Sequence, residues 1–166
     1  SVEQFKNADF VQRVAKALHS AGLDGNRLEL EITESVAMLG SQSVESVLKQ
    51  LRDMNITIAI DDFGTGYSSL SYLERLPLDR LKIDKAFVRQ LGEPGAPRIA
   101  EMIIELGETL GARVLAEGIE DQASLDALQS LGCHEGQGFF IGKPMEKSDL
   151  LDWIGTYRVR PGHRQS

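Results

Sequence analysis

The sequence predicts an α/β fold on a parallel sheet, and three observations carry that prediction. Segments of helical and strand periodicity alternate strictly along the 166 residues, which gives successive βα units with helices packed outside a parallel sheet. The apolar run Thr57-Ile58-Ala59-Ile60 leads directly into Asp61-Asp62 and a loop containing Gly64 and Gly66. Ionisable residues also collect at the carboxyl ends of the strands, where βα barrels carry their active sites.

Val2–Ala21 places Phe5, Phe10, Val11, Val14, Ala15, Ala17 and Leu18 at helical spacing and stops at Gly22. Leu28–Thr33 alternates with period two: Leu28, Leu30 and Ile32 share one face, and Glu29, Glu31 and Thr33 the other. Ser43–Met54 is a helix with Val44, Val47, Leu48 and Leu51 on one side, and Ile56–Asp61 is the second strand. Ser69–Leu76 is a short helix, capped by Ser68 or Ser69 and stopped before Pro77. Leu81–Asp84 is the third strand, and Lys85–Leu91 a brief helical or turn segment. Gly92–Pro97 is a loop.

Arg98–Leu110 is a long helix with Ile99, Met102, Ile103, Leu106 and Leu110 inward. Arg113–Gly118 is the fourth strand, and Asp121–Leu131 a helix with Leu125 and Leu128 inward, ended by Gly132. Gly136–Ile141 reads as the fifth strand. Ser148 caps a last helix reaching Tyr157, in which Trp153 and Tyr157 are core anchors; Arg160–Ser166 is a frayed tail. There is no internal repeat and no convincing domain boundary.

The length suits one domain with a real core, and an apolar fraction of 42% is ordinary for a globular protein. A net charge of −7 without a basic block argues against a nucleic-acid polymer as partner. A small anionic substrate requires metal ions to offset the local carboxylates. Cys133 is the only cysteine, so no intrachain disulfide forms, which fits a reducing, cytoplasmic setting. No apolar run approaches the ~18 residues of a membrane span, and no signal peptide is expected from these residues. The start at Ser1 without Met suggests a fragment or a processed chain.

The acids carry the chemistry. Glu31 ends the first strand with Glu34 just beyond; Asp61-Asp62 end the second; Lys82 and Asp84 lie on the third; Glu117 ends the fourth, followed by Glu120; Gln137 lies in the fifth. Period-two phasing turns Glu31, Asp61, Lys82 and Glu117 into the barrel, while Leu30, Ile60, Ile83 and Ala116 face the helices. One such residue is most simply a cap or a surface charge. Four strands in a row, each presenting an inward ionisable group, point to an active site. Carboxylates suit hard cations such as Mg²⁺, Mn²⁺ or Ca²⁺, and this set could hold two ions about 3.5–4 Å apart. Lys82 could then orient the attacking water or stabilise charge developing on phosphorus, which points to phosphoester hydrolysis. An enolase-type site with Lys82 as base is the alternative. Gly64-Thr65-Gly66 lacks the Lys-Ser/Thr pair of a phosphate loop. Cys133-His134 lacks zinc partners and reads as a buried thiol and a loop histidine; His19 is a surface or helix C-terminal cation.

Glu31-Ile32-Thr33-Glu34, Asp61-Asp62-Phe63-Gly64-Thr65-Gly66-Tyr67-Ser68-Ser69-Leu70, Lys82-Ile83-Asp84, Ala116-Glu117-Gly118-Ile119-Glu120 and Gln137-Gly138-Phe139-Phe140 resemble the bacterial EAL domain. That family contains cyclic di-GMP phosphodiesterases on a modified (β/α)8 TIM-like barrel. The resemblance implies hydrolysis of cyclic di-GMP to linear pGpG by a two-metal mechanism with Mg²⁺ or Mn²⁺, with Ca²⁺ inhibitory. By resemblance Glu31, Asp61 and Asp62 are metal ligands, and Lys82, Glu117 and Gln137 are catalytic. Glu34 resembles the glutamate that holds the loop after Asp62, and Asp84 and Glu120 resemble supporting or substrate-binding positions. Upstream sensory or GGDEF-type domains are implied as possible neighbours in a parent protein, which missing segments could anchor to a membrane.

The sequence departs from the family at its start. The Glu-Ala-Leu or Glu-Val-Leu segment and an Asn on the next strand, both metal ligands in the family, are not found. Residues 1–160 are therefore expected to form the C-terminal part of the barrel, with 161–166 a tail. The segments above give five strands, where about eight close such a barrel. An open edge is expected to drive association, such as a homodimer completing a sheet between chains. The isolated chain is expected to bind metal weakly and turn over poorly. A non-catalytic cyclic di-GMP receptor or protein-interaction scaffold is the alternative function.

Overall fold

Alternating apolar residues on five short segments build one parallel sheet in the order β1-β2-β3-β4-β5. The structure, a computed structural model, describes residues 9–39, 42–64, 70–91 and 98–157. The strands are β1 (Glu29–Thr33), β2 (Thr57–Phe63), β3 (Arg80–Ile83), β4 (Arg113–Glu117) and β5 (Glu135–Gln137). Around them run α1 (Phe10–Ala21), α2 (Glu34–Ala37), α3 (Gln42–Asp53), α4 (Leu70–Leu73), α5 (Lys85–Val88), α6 (Ile99–Leu110), α7 (Gln122–Ser130) and α8 (Lys147–Tyr157). Helix and strand alternate as the sequence predicts, with two differences: α2 is an unpredicted turn of helix between β1 and α3, and α4 stops at Leu73 rather than Leu76, where the chain enters turns. The start of the first helix, the serine cap before α4, the Gly92–Pro97 loop and the tail lie outside the described residues.

One face of the sheet is the core. Ile58, Ile60, Leu81, Ile83, Val114 and Ala116 are fully buried there, and Leu48, Leu51, Ile103 and Ile104 of the covering helices belong to the same apolar cluster. Each such aliphatic side chain removed from water contributes about 1.5–3 kcal/mol. The helices end and begin where local chemistry dictates. Gly111 takes the left-handed conformation (φ 67°) that closes α6, and the Asp121 carboxylate caps α7 by accepting a hydrogen bond from the Ser124 amide at 2.7 Å.

Four further expectations are corrected. The fifth strand ends at Gln137, not Ile141, because Ile141 and Gly142 both donate to the Gly138 carbonyl at 3.0 Å and turn the chain. Met102 is 65% exposed rather than inward, since Ala100, Ile103 and Ile104 already form the buried stripe of α6. α8 begins at Lys147, so Ser148 lies within it and does not cap it; its hydroxyl contacts Asp149 at 3.2 Å instead. Trp153 and Tyr157 are half-buried and stack on each other at 4.5 Å, on a helix that buries no residue fully. They cover one another rather than anchor the core.

β1 and β5 are the sheet's edges, and among the described residues no further strand pairs with either. No helix among the described residues is long and apolar enough to cross a membrane.

Candidate active site

The face of the sheet opposite the core is charged. Parallel pairing in register sets Thr33 beside Asp61, Lys82 beside Leu115, and Glu117 beside Gln137. The period of two then stacks Glu31, Asp61, Lys82, Glu117 and Gln137 on one side near the carboxyl ends of their strands. Lys82 is the centre of the group. Its ammonium lies 2.7 Å from Glu31, 2.9 Å from Asp61 and 2.8 Å from Glu117. The lysine side chain is only 7% exposed. Burial alone would lower its pKa, but the carboxylates of Glu117, Glu31 and Asp61 outweigh burial and raise it above the ordinary lysine range. Lys82 is therefore a fixed cation at neutral pH, suited to orienting and stabilising rather than to accepting a proton.

Asp61 and Asp62 differ although adjacent. A register shift between Ile60 and Phe63 puts a bulge in β2, and Asp62 takes a left-handed backbone (φ 54°) that non-glycine residues rarely adopt. Asp61 is half-buried there, while Asp62 is exposed. Burial, then the negative charges of Asp61 and Asp84, push the Asp62 pKa up. Such crowding of acids is relieved by a cation. Asp61 Oδ1 is buried and ion-pairs with the Lys82 ammonium at 2.9 Å. All-oxygen, anionic donors fit a hard divalent cation in chemistry. Among the described residues, no three His, Cys, Asp or Glu side chains converge on one cation position, since Lys82 holds the space between Glu31, Asp61 and Glu117.

The other expected residues are each held by contacts of their own. Glu34, 4% exposed, accepts a hydrogen bond from the Gly64 amide at 3.0 Å and so holds the turn after Phe63. Asp84 caps α5 through the Ala86 amide at 2.7 Å, and Glu120 pairs with Arg89 at 2.6 Å on the surface. Gln137 closes β5; its carbonyl accepts from the Ile119 amide at 3.1 Å, tying it to the loop after Glu117. Cys133 is half-buried and its thiol donates to the Glu135 carbonyl, while His134 Nδ1 accepts from the Val114 amide, so neither is placed as a zinc ligand. A cavity of about 1180 Å³ opens beside the acids and is lined by Glu31, Glu117, Glu120, Gln137 and Phe139 among others.

One set of charges was missed. Arg80 on β3 pairs with Glu29 of β1 and Glu135 of β5, and Arg113 pairs with Glu135 at 2.6 Å. The signal was present: Glu29, Arg80 and Glu135 each lie two residues before a flagged residue, on the same strand face.

Fold and site together define an incomplete, barrel-like α/β domain of five parallel strands with an acidic centre at their carboxyl ends. The family model described as EAL domain matches residues 1–144, and the chain belongs to that family. The chain is 44% identical over 152 residues to MucR of Pseudomonas aeruginosa, a bifunctional diguanylate cyclase/cyclic di-GMP phosphodiesterase. The match covers 91% of this chain and 22% of that relative. It superposes with a TM-score of 0.84 on the PaMucR phosphodiesterase in complex with c-di-GMP, at 44% identity, covering 90% of this chain and 61% of that one. It also matches the manganese/cy-diGMP complex of BlrP1 from Klebsiella pneumoniae, with a TM-score of 0.73 at 36% identity, over 82% of this chain and 35% of that one.

Proposed function

We propose that this chain supplies the catalytic centre of a cyclic di-GMP phosphodiesterase, which opens one phosphodiester to give pGpG. The observation that carries the reading is the convergence of Glu31, Asp61 and Glu117 on the Lys82 ammonium within 2.9 Å. Similarity to c-di-GMP-bound phosphodiesterase structures supports the substrate, and the manganese complex of a relative supports a divalent ion.

Glu31, Asp61 and Asp62 would hold Mg²⁺ or Mn²⁺. Such ions, when bound, lower the pKa of a water and neutralise the phosphoryl oxygens. Lys82 donates hydrogen bonds to the attacking oxygen and opposes the charge gathering on phosphorus. Glu117 fixes the orientation of Lys82, and Gln137, beside it in register, offers an amide to the phosphate. Asp84 and Glu120 support the rim, Asp84 through its cap on α5 and Glu120 through Arg89. Glu34 keeps Asp62 in place through Gly64. The edges β1 and β5, which no further strand pairs among the described residues, support pairing with a second copy, which size-exclusion chromatography would show as a dimer.

The test uses this chain and a form extended N-terminally to the span of its structural relatives, each incubated with cyclic di-GMP and Mg²⁺ or Mn²⁺. Formation of pGpG by the extended form, with little from the chain alone, is expected. Cyclic di-GMP binding without product from both forms would overturn hydrolysis in favour of a receptor. No binding by either would leave only a protein-interaction role.

A further inference from the structure

β3 carries a second cation, Arg80, two residues before Lys82 and on the same face. Its guanidinium meets Glu29 of β1, and its Nη2 lies 2.7 Å from Glu135 of β5. Arg113 Nε holds the same Glu135 at 2.6 Å. β1 and β5 are the opposite edges of the sheet and, among the described residues, are not paired through their backbones. Arg80 thus links two strands that the sheet itself leaves unlinked. Lys82 makes no such link, because its carboxylates come from β1, β2 and β4.

The location is unusual on physical grounds. A barrel interior at this depth is ordinarily filled by branched aliphatic side chains. Here the Arg80 side chain is 22% exposed and pairs with Glu29 and Glu135 at 26% and 28%. Partly buried ion pairs lose much of their Coulombic gain to desolvation, so their net stabilisation is modest. What a guanidinium does supply is geometry: a rigid planar fork that fixes two carboxylates relative to each other. Two residues along a strand is about 6.7 Å, so this clamp lies one layer below Glu31, Lys82 and Gln137, where it lines the same cavity.

We propose that Arg80 is a positioning residue for the reaction. By gripping Glu29 and Glu135 on one fork it fixes the gap between β1 and β5. That gap sets the distance between Glu31 and Gln137, each two residues farther along the same strand face. The proposal rests on the phosphodiesterase reading and deepens it.

The experiment compares Arg80→Lys, Arg80→Met and Glu135→Gln with wild type, in both the chain and its extended form. It reads kcat, KM, Tm and amide hydrogen exchange along the strands. The expected result is a kcat lowered on the order of 10–100-fold, as for a misplacement of about an ångström, with KM within about twofold. Arg80→Lys does not rescue, because an ammonium lacks the fork. Amide exchange in β5 rises at least about tenfold, while that of β2 and β3 is unchanged. Wild-type kcat or unchanged β5 exchange in Arg80→Lys would overturn the proposal, as would losses that only follow Tm. Should Arg80→Met fail to fold, Arg80→Lys, which keeps the charge, carries the test. Absence of pGpG from wild type would sink the phosphodiesterase reading instead, and the clamp would then be decided by the exchange data.

Discussion

The Glu34 carboxylate accepts a hydrogen bond from the Gly64 amide at 3.0 Å across 30 residues of sequence. It joins the first turn of α2 to the end of β2, where Asp61 and Asp62 lie. A Cβ at Gly64 would press on Phe87 and Ile103, and its φ is +98°, so the turn has little freedom to move elsewhere. Loss of a buried hydrogen bond to a charged group costs about 1.5–3 kcal/mol. Glu34→Ala should therefore lower the urea midpoint by the equivalent of about 2 kcal/mol and reduce pGpG formation more than Glu34→Gln does. Equal activity of Glu34→Ala and wild type would show that the turn does not depend on this bond.

Removing the Lys82 cation should leave Glu31, Asp61 and Glu117 facing one another without a counter-charge. Lys82→Met is expected to lower kcat on the order of 10²–10³-fold, the loss typical of one transition-state-stabilising donor, with a smaller effect on KM. Steady-state kinetics on the extended form check this.

Divalent ions should stabilise the fold through Asp61 and Asp62. At tenfold excess over Kd, linkage gives about 1.4 kcal/mol, which thermal denaturation reads as a Tm raised by a few degrees. Mg²⁺ or Mn²⁺ is expected to produce that rise in wild type and not in Asp61→Asn. A rise of the same size in both would remove Asp61 from the ligand set.

Gly138 is where β5 meets the loop after β4. A Cβ there would collide with the backbone of Ile119, whose amide donates to Gln137 and whose carbonyl accepts from Phe140. Forced overpacking of this kind costs about 1–3 kcal/mol. Gly138→Ala should lower the denaturant midpoint and weaken activity by separating Gln137 from Glu117, while Gly155→Ala in α8, with no atoms within 4 Å of the added carbon and no positive φ, should leave activity unchanged.

Glu135 should make stability depend on acid. Burial raises its pKa, but Arg113 and Arg80 outweigh burial and hold it below the ordinary value of 4.5. A carboxyl whose pKa is depressed by folding binds more protons when unfolded. Its stabilisation is therefore complete above 4.5 and is lost as pH falls through the lower, folded pKa. The midpoint difference between wild type and Glu135→Gln should be largest at neutral pH and shrink below about pH 4.5. A difference constant from pH 7 to 3 would show that the arginines do not act on this charge.

Much of the site was readable because a strand's period of two converts sequence parity into a face. Glu31, Asp61, Lys82 and Glu117 share parity with their strands' inner side, so their meeting followed once the strands were parallel and adjacent. Gln137 lies in the fifth strand as the sequence predicts, but the strand stops there, because the hydrogen bonds to the Gly138 carbonyl that end β5 leave no composition signal. Met102 was misplaced because it sits at the border of the apolar stripe of α6, where one helical position separates buried from exposed.

The sequence by itself determined the alternation of helix and strand, the apolar face of the sheet and the family, because these depend on local period and on motifs contiguous in the chain. Only the tertiary structure decided which acid pairs with which base. Lys82 could have met any one of its neighbours; strand order and register bring three carboxylates to it at once. For the Arg80 link between β1 and β5, parity shows only that Glu29, Arg80 and Glu135 share a face; their pairing joins residues 51 and 55 positions away on strands that are not neighbours. Such contacts are fixed by how the sheet curls, a property of the assembled strands and not of any one of them.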